Sequence, residues 1–260
     1  MLSTIRNFLL DLDGTVYLGH SALPGAAVFI AYLRASGRGL LFFTNNSSAD
    51  ANHYAAKLRR MGIEAQPRDI LTSGEATVRY LIAETPYRRV YVLGVPSFEM
   101  EARWGGLTVV DDAPDAVVLA FDRTLTYAKL EKACRWLRAG VPYFATNPDR
   151  VCPTEDGYIP DCGSMTALLF EATGRRPKVI GKPNPEMVRM ALAALNATPD
   201  TTAMVGDRLY TDMQMAYDSG ITSILVLTGE TKKEDLDAAT RRPDFVFPSV
   251  RELHAEMRGA

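Results

Sequence analysis

Cysteine is scarce in this chain. Three of its 260 residues, Cys134, Cys152 and Cys162, are too few for a disulfide framework and show no CxxC spacing, which favours a reducing compartment. Long apolar runs are missing too: the longest, AVVLAF at Ala116–Phe121, falls far short of a bilayer crossing. Before Asp11 there is one Arg and then FLL, too short for the apolar region of a signal peptide. The net charge is only −2, so there is no basic field for nucleic acid and no polybasic signature for a membrane surface. His20, His53 and His254 have no ligand spacing to one another or to the cysteines. No GxGxxG follows the first apolar strand, which disfavours a dinucleotide fold. The expectation is a soluble cytoplasmic protein that engages neither nucleic acid nor membrane.

What remains is a pattern of short apolar runs alternating with amphipathic stretches. Hydrophobic residues make up 47% of the chain, enough for a sizeable core, and the length suits one large or two modest domains. Phe8–Leu10, Leu40–Phe43, Thr202–Val205, Ile224–Leu227 and Phe245–Phe247 read as strands. Between them, Gly25–Ala35, Ala49–Met61, Gly74–Ala83, Pro185–Leu195 and Asp212–Ser219 have helical spacing. The middle has its own strands at Val90–Leu93, Leu107–Val110, Val117–Phe121 and Pro142–Ala145, with a helix at Tyr127–Ala139. Proline-containing seams at Glu84–Tyr87 and Gly174–Pro177 bracket that block. The reading is an α/β protein: a Rossmann-like parallel-sheet core from residues 1–84 and 178–260, interrupted by an inserted α/β cap domain at 85–177. A single continuous sheet is the competing reading.

The chemistry gathers at strand ends. FLLDLDGTVY places Asp11 and Asp13 straight after a buried strand, with Gly14 forcing a tight exit. A carboxylate there is costly unless something uses it, and ligands of open α/β sheets bind beyond the carboxyl ends of the strands. LLFFTNN ends in Thr44, Asn45 and Asn46, a hydroxyl and amides suited to phosphate oxygens. VIGKPNP puts Lys182 just past an apolar run, and AMVGDRLYTD puts Asp207 at a strand end with Asp212 five residues on. Singly, these read as a turn, a surface lysine and a helix cap. Together they lie at one kind of edge.

The order DLDGT, TNN, GKP, GDRxxTD closely resembles the haloacid-dehalogenase-like superfamily of phosphatases. The insert between the second and third motifs is similar to that of the subfamily with a large α/β cap. That subfamily includes NagD-type, 4-nitrophenyl, phosphoglycolate and pyridoxal phosphate phosphatases. The resemblance implies Asp11 as the nucleophile, forming an aspartyl-phosphate, and Asp13 as the general acid and base. It implies Mg²⁺ held by the carboxylates of Asp11 and Asp207 and the main-chain carbonyl of Asp13, with Asp212 orienting a metal-bound water. Gly14, Thr44, the Asn45 backbone amide and Lys182 would bind the transferring phosphoryl group. Relatives that break carbon–halogen bonds lack the second aspartate, so Asp13 favours ester hydrolysis of a small phosphorylated metabolite. Phosphomutase chemistry and a catalytically silent binding or scaffolding protein of the same fold are the alternatives. A homodimer through the cap rests on the resemblance alone.

One repetition is left. YLRASGRGLLFFTNN at Tyr32–Asn46 and WLRAGVPYFATNP at Trp136–Pro148 both run a helix through a glycine into an apolar strand and a Thr-Asn turn. The two are either ordinary αβ pieces or loops of one kind. On the second reading Ala145–Met165 reads the leaving group, with Asn46, Asn147, Asp149, Arg150 and Asp161 as specificity residues. Two departures from the family pattern stand out. PDCGS replaces a PGxGS run, and Tyr210 stands where an acidic or small residue is frequent. Asp161 sits close enough to the next helix start to serve as its cap.

Overall fold

The computed structural model describes residues 2–154 and 157–259. It divides into two compact units: the described residues of Met1–Thr44, Ala51–Leu71 and Pro183–Ala260 form the first, and those of Asn45–Asp50 and Thr72–Lys182 the second. Among the described residues, no helix is long and apolar enough to cross a membrane.

The first unit is built on a six-stranded sheet. Its order is Phe245–Phe247, Thr222–Val226, Thr202–Gly206, Asn7–Asp11, Gly39–Thr44 and Ile70–Thr72. From Phe245–Phe247 to Gly39–Thr44 every neighbouring pair is parallel, with Leu10 opposite both Val205 and Phe42. These strands read as unbroken apolar runs because both faces of the sheet are covered: Phe8, Leu9 and Leu10 are all fully buried. The helix Ala26–Ala35 buries Ala26, Phe29, Ile30 and Leu33, spaced i, i+3, i+4, i+7 along one face. Phe29 meets Phe8 edge-on with ring centroids 6.0 Å apart. After Asn7–Asp11 the chain builds outward to one side, and Thr202–Gly206 later returns to the other side of that same strand. The order therefore reverses between Asn7–Asp11 and Thr202–Gly206, the place where such sheets open a crevice beyond their carboxyl ends.

The second unit has a five-stranded parallel sheet in the order Lys178–Val179, Tyr143–Ala145, Ala116–Leu119, Arg89–Leu93, Thr108–Val109. Two helices, Tyr127–Arg138 and Cys162–Thr173, close a core with it through Ala133, Leu137, Met165 and Leu169. Residues 178–182, read as part of the core, group with the second unit instead, where Lys178–Val179 pairs with Tyr143–Ala145. The helix Ser73–Glu84 likewise groups with the second unit.

Other features differ from the sequence reading as well. Val151–Thr154 and Gly157–Pro160 form an antiparallel hairpin inside the stretch read as a loop; Glu155 and Asp156 of that stretch lie outside the described residues. A helix at Pro96–Trp104 and another at Val250–Gly259 were not expected. The helix read from Asp212 is preceded by a wide turn at Leu209–Met213, where Met213 N–H donates to Arg208 O, five residues back, at 3.1 Å. The extra residue in that turn lets the Asp212 carboxylate fold back and accept Arg208 N–H at 3.1 Å.

Candidate active site

Asp11 closes the strand Asn7–Asp11, and Asp207 directly follows its neighbour Thr202–Gly206. With Asp212, carried on the wide turn, they form a cluster in which one ligand oxygen from each lies within 4.8 Å of the others. Among the described residues it is the only group of three or more His, Cys, Asp or Glu so placed. All three are buried: Asp11 is 7% exposed, Asp207 2% and Asp212 0%. At that spacing each pair of ionised carboxylates repels by about 3–4 kcal/mol at an effective dielectric near 20. Three hard oxygen donors held together against such repulsion are a donor set for a hard divalent cation.

Glycines make the close approach possible. Gly14 sits at φ 85°, and a Cβ there would lie 2.6 Å from Asp207 Oδ2. At Gly229 a Cβ would overlap the same carboxylate outright. Asp13 lies past the strand end and is partly buried, and its Oδ2 accepts the Tyr17 hydroxyl at 3.2 Å. Burial first, and then the nearness of Asp13, Tyr54 and Asp11, holds that hydroxyl well above a tyrosine's ordinary value. It therefore stays a neutral donor at any working pH. Tyr17 closes the very motif FLLDLDGTVY, yet nothing in the sequence pattern marked it, because a tight turn brings it back onto Asp13.

Thr44 is buried at the end of its strand in the first unit, while Asn45 groups with the second. There Asn45 ties three chain segments together. Its Nδ2 donates to Lys182 O at 3.0 Å and to both Asp149 carboxylate oxygens at 3.3 and 3.2 Å. Its Oδ1 accepts Lys182 N–H at 2.9 Å. Its carbonyl accepts Ser73 Oγ–H at 2.6 Å and Asn147 Nδ2–H at 2.8 Å. The Asn45 side chain is thus committed to structure, and Lys182 is no surface lysine at 3% exposure.

The remaining predicted residues are placed as follows. Asn147 is fully buried between the Asn45 carbonyl and Asp149 N–H. Asn46 Oδ1 accepts Ser48 N–H, and its Nδ2 faces Cys152 Sγ at 3.9 Å. Arg150 is exposed, with its carbonyl accepting Ser164 Oγ–H at 2.5 Å. Asp161 is the N-cap of Cys162–Thr173, its Oδ1 accepting Cys162 N–H at 2.5 Å. The cysteines form no disulfide. Burial pushes the Cys162 thiol up to about 12, which makes it inert as a nucleophile.

Two family models match the chain: one described as haloacid dehalogenase-like hydrolase over residues 8–108, and one as HAD-hydrolase-like over 179–253. The acid sugar phosphatase of Staphylococcus haemolyticus (strain JCSC1435) is 36% identical over 257 residues, covering 98% of each chain. The structure of a 4-nitrophenylphosphatase from Thermotoga maritima superposes with TM-score 0.95 at 44% identity, covering 98% of both chains. A glycerol phosphate phosphatase from Mycobacterium tuberculosis, solved in complex with magnesium, superposes with TM-score 0.92 at 35% identity, over 99% of this chain and 78% of its own.

Proposed function

The chain belongs to the haloacid dehalogenase-like hydrolases, in the branch with a large α/β cap, and is a phosphatase; on that premise we propose that it hydrolyses small phosphomonoesters through an aspartyl-phosphate on Asp11, assisted by Mg²⁺. The observation that carries this reading is the buried trio of Asp11, Asp207 and Asp212 at the switch point of the first sheet. The trio fits a divalent cation, which the Asp11 and Asp207 carboxylates would hold, with the Asp13 main-chain carbonyl and Asp212 in the supporting roles the family resemblance implies. The ion, when bound, offsets the charge of the carboxylates and the phosphoryl oxygens and so lets two anions meet.

The residues then divide the work. An Asp11 carboxylate oxygen attacks phosphorus, and the bond from phosphorus to the leaving oxygen breaks as that oxygen takes a proton from Asp13. Asp13, now ionised, takes a proton from water as the water oxygen attacks the aspartyl-phosphate. The bond from phosphorus to Asp11 breaks, releasing inorganic phosphate and restoring both acids. Tyr17 steadies the ionised state of Asp13 between the two halves by donating to its Oδ2. Gly14 and Thr44, with the Asn45 amide and Lys182 implied by the family resemblance, receive the phosphoryl oxygens.

We read the first unit as the catalytic core and the second as the cap, with a small phosphorylated metabolite such as a sugar or glycerol phosphate as substrate. Arg150 directly precedes the strand Val151–Thr154 and Asn46 Nδ2 faces Cys152 within it, and both are the specificity residues of this reading. Asn147 and Asp161 act through the backbone they hold, and Asp149 through the Asn45 side chain it accepts. The test is phosphate release from a panel of phosphorylated metabolites and an aryl phosphate, with Mg²⁺ and with EDTA. Folded protein that releases no phosphate with Mg²⁺ from any of them would refute the reading, and so would turnover that survives Asp11→Asn.

A further inference from the structure

The Asp207 carboxylate is held from outside the acidic trio. Its Oδ2 accepts the backbone N–H of Glu230 at 2.6 Å, a charge-assisted bond. Glu230 lies in the connection after Thr222–Val226, with no helix or strand of its own to fix it. Its neighbours are tied down by Thr231 N–H on Asp207 O at 3.2 Å and Thr228 Oγ1–H on Gly14 O at 2.6 Å, and its own side chain adds a further anchor. Oε1 accepts the Tyr210 hydroxyl at 2.8 Å, and Oε2 pairs with Arg208 Nε at 2.9 Å. Arg208 and Tyr210 belong to the segment that joins Asp207 to Asp212. The contacts therefore close a ring: Asp207 leads by chain to Arg208 and Tyr210, these hold Glu230, and the Glu230 amide returns to Asp207. Gly229 brings this connection so close that any side chain there would overlap the carboxylate.

We propose that Tyr210, Arg208 and Glu230 form a positioning clamp that orients the Asp207 carboxylate for a divalent cation. The clamp rests on the cation reading of the acidic trio given above. Without it the Glu230 amide drifts, Asp207 samples other rotamers, and binding must then restore the order. The anchoring contacts are partly exposed, so losing one weakens cation binding by between about 1.5- and 5-fold.

The test is calorimetric titration of the full chain with Mn²⁺, run for wild type, Tyr210→Phe, Glu230→Ala, Glu230→Gln and the double variant Tyr210→Phe/Glu230→Ala. Tyr210→Phe weakens Mn²⁺ binding within that range, Glu230→Ala, which loses both anchors, weakens it at least as much, and Glu230→Gln, which keeps an acceptor for the tyrosine, loses less than Glu230→Ala. The double variant is no worse than Glu230→Ala, because the tyrosine acts through the glutamate. In turnover, the activating Mg²⁺ concentration rises while kcat at saturating Mg²⁺ holds. A role confined to general stability would instead lower the melting temperature and leave Mn²⁺ affinity at the wild-type value, and that result overturns the clamp. Wild type that takes up no Mn²⁺ overturns the cation reading and the clamp with it.

Discussion

Asp11→Asn should make the protein more stable, not less, when no cation is present. The substitution keeps the shape of a side chain that is 7% exposed and removes one member of the acidic trio. Three carboxylates make three pairs, and two of these involve Asp11. At about 3–4 kcal/mol per pair the gross relief is about 7 kcal/mol. The net relief has a lower ceiling, because no cluster can store more repulsion than protonating one member would cost. Protonating one ordinary aspartate at pH 7 costs about 4 kcal/mol, so the variant gains no more than that. Oriented amides, such as the Glu230 N–H on Asp207, already offset part of it. The expected gain is therefore about 1–4 kcal/mol. Excess Mg²⁺ works against that gain: a cation at a hundred times its dissociation constant adds about 2.7 kcal/mol to wild type, and little to a variant that has lost a ligand. The assay is urea unfolding of both proteins at pH 7, in EDTA and in Mg²⁺. A variant no more stable than wild type in EDTA would refute the argument, since the three carboxylates would then not be opposing one another.

Tyr17→Phe keeps a fully buried ring and deletes the donor to Asp13, so kcat/KM for an alkyl phosphate should fall by about tenfold or more. A nitrophenyl ester, whose leaving oxygen needs the proton less, should lose less, and the ratio of the two substrates is the readout. Asp161→Ala removes the cap of Cys162–Thr173 and should cost about 1 kcal/mol in urea unfolding, with Asp161→Asn close to wild type. Burial, then Glu75 and Asp50, push the Glu101 carboxyl up to about 8 despite Arg79. Its folded-state value is raised, so its contribution is complete below the unfolded value near 4.5 and is lost as pH rises through about 8. Urea midpoints of wild type should accordingly fall between pH 5 and pH 8, and Glu101→Gln should flatten that fall.

The central strands were legible because burial on both faces leaves no alternation to misread: NFLLD, GLLFFT and TAMVG are near-continuous apolar runs. The aspartates stood out for the same reason, as charges at the ends of runs that should have none. The hairpin Val151–Thr154 with Gly157–Pro160 carried no such signal. Val151 and Tyr158 are exposed, so its pattern is neither apolar nor alternating. Pro96–Trp104 buries only Phe98 and Ala102. The helix Val250–Gly259 is another case, since Val250, Leu253 and Met257 do carry a helical period that could have been read. What no single sequence shows is the set of partners around Asn45. Its hydrogen bonds reach Asn147, Asp149 and Lys182, which lie 102, 104 and 137 residues away.

Those distant partners explain why the chain writes a Thr-Asn turn twice. Each turn ends a buried strand, so its polar groups are cut off from water and must be satisfied within the protein. Within the second unit they are satisfied largely by each other and by the residues that follow. Asn147 donates to the Asn45 carbonyl, while Ser47 shares a hydrogen bond of 2.8 Å with Thr146 and accepts Phe121 N–H at 2.9 Å. Asp149, two residues past the second turn, accepts the Asn45 amide. Gly181 completes the contact: a side chain there would collide with the Thr146 carbonyl and the Asn45 amide. A single Thr-Asn turn in this setting would leave a buried carbonyl or hydroxyl without its partner, at about 1–3 kcal/mol each. The repeat is thus a reciprocal hydrogen-bonding device. It fixes the backbone that runs from Asn45 toward Asp50, whatever chemistry that backbone is then used for.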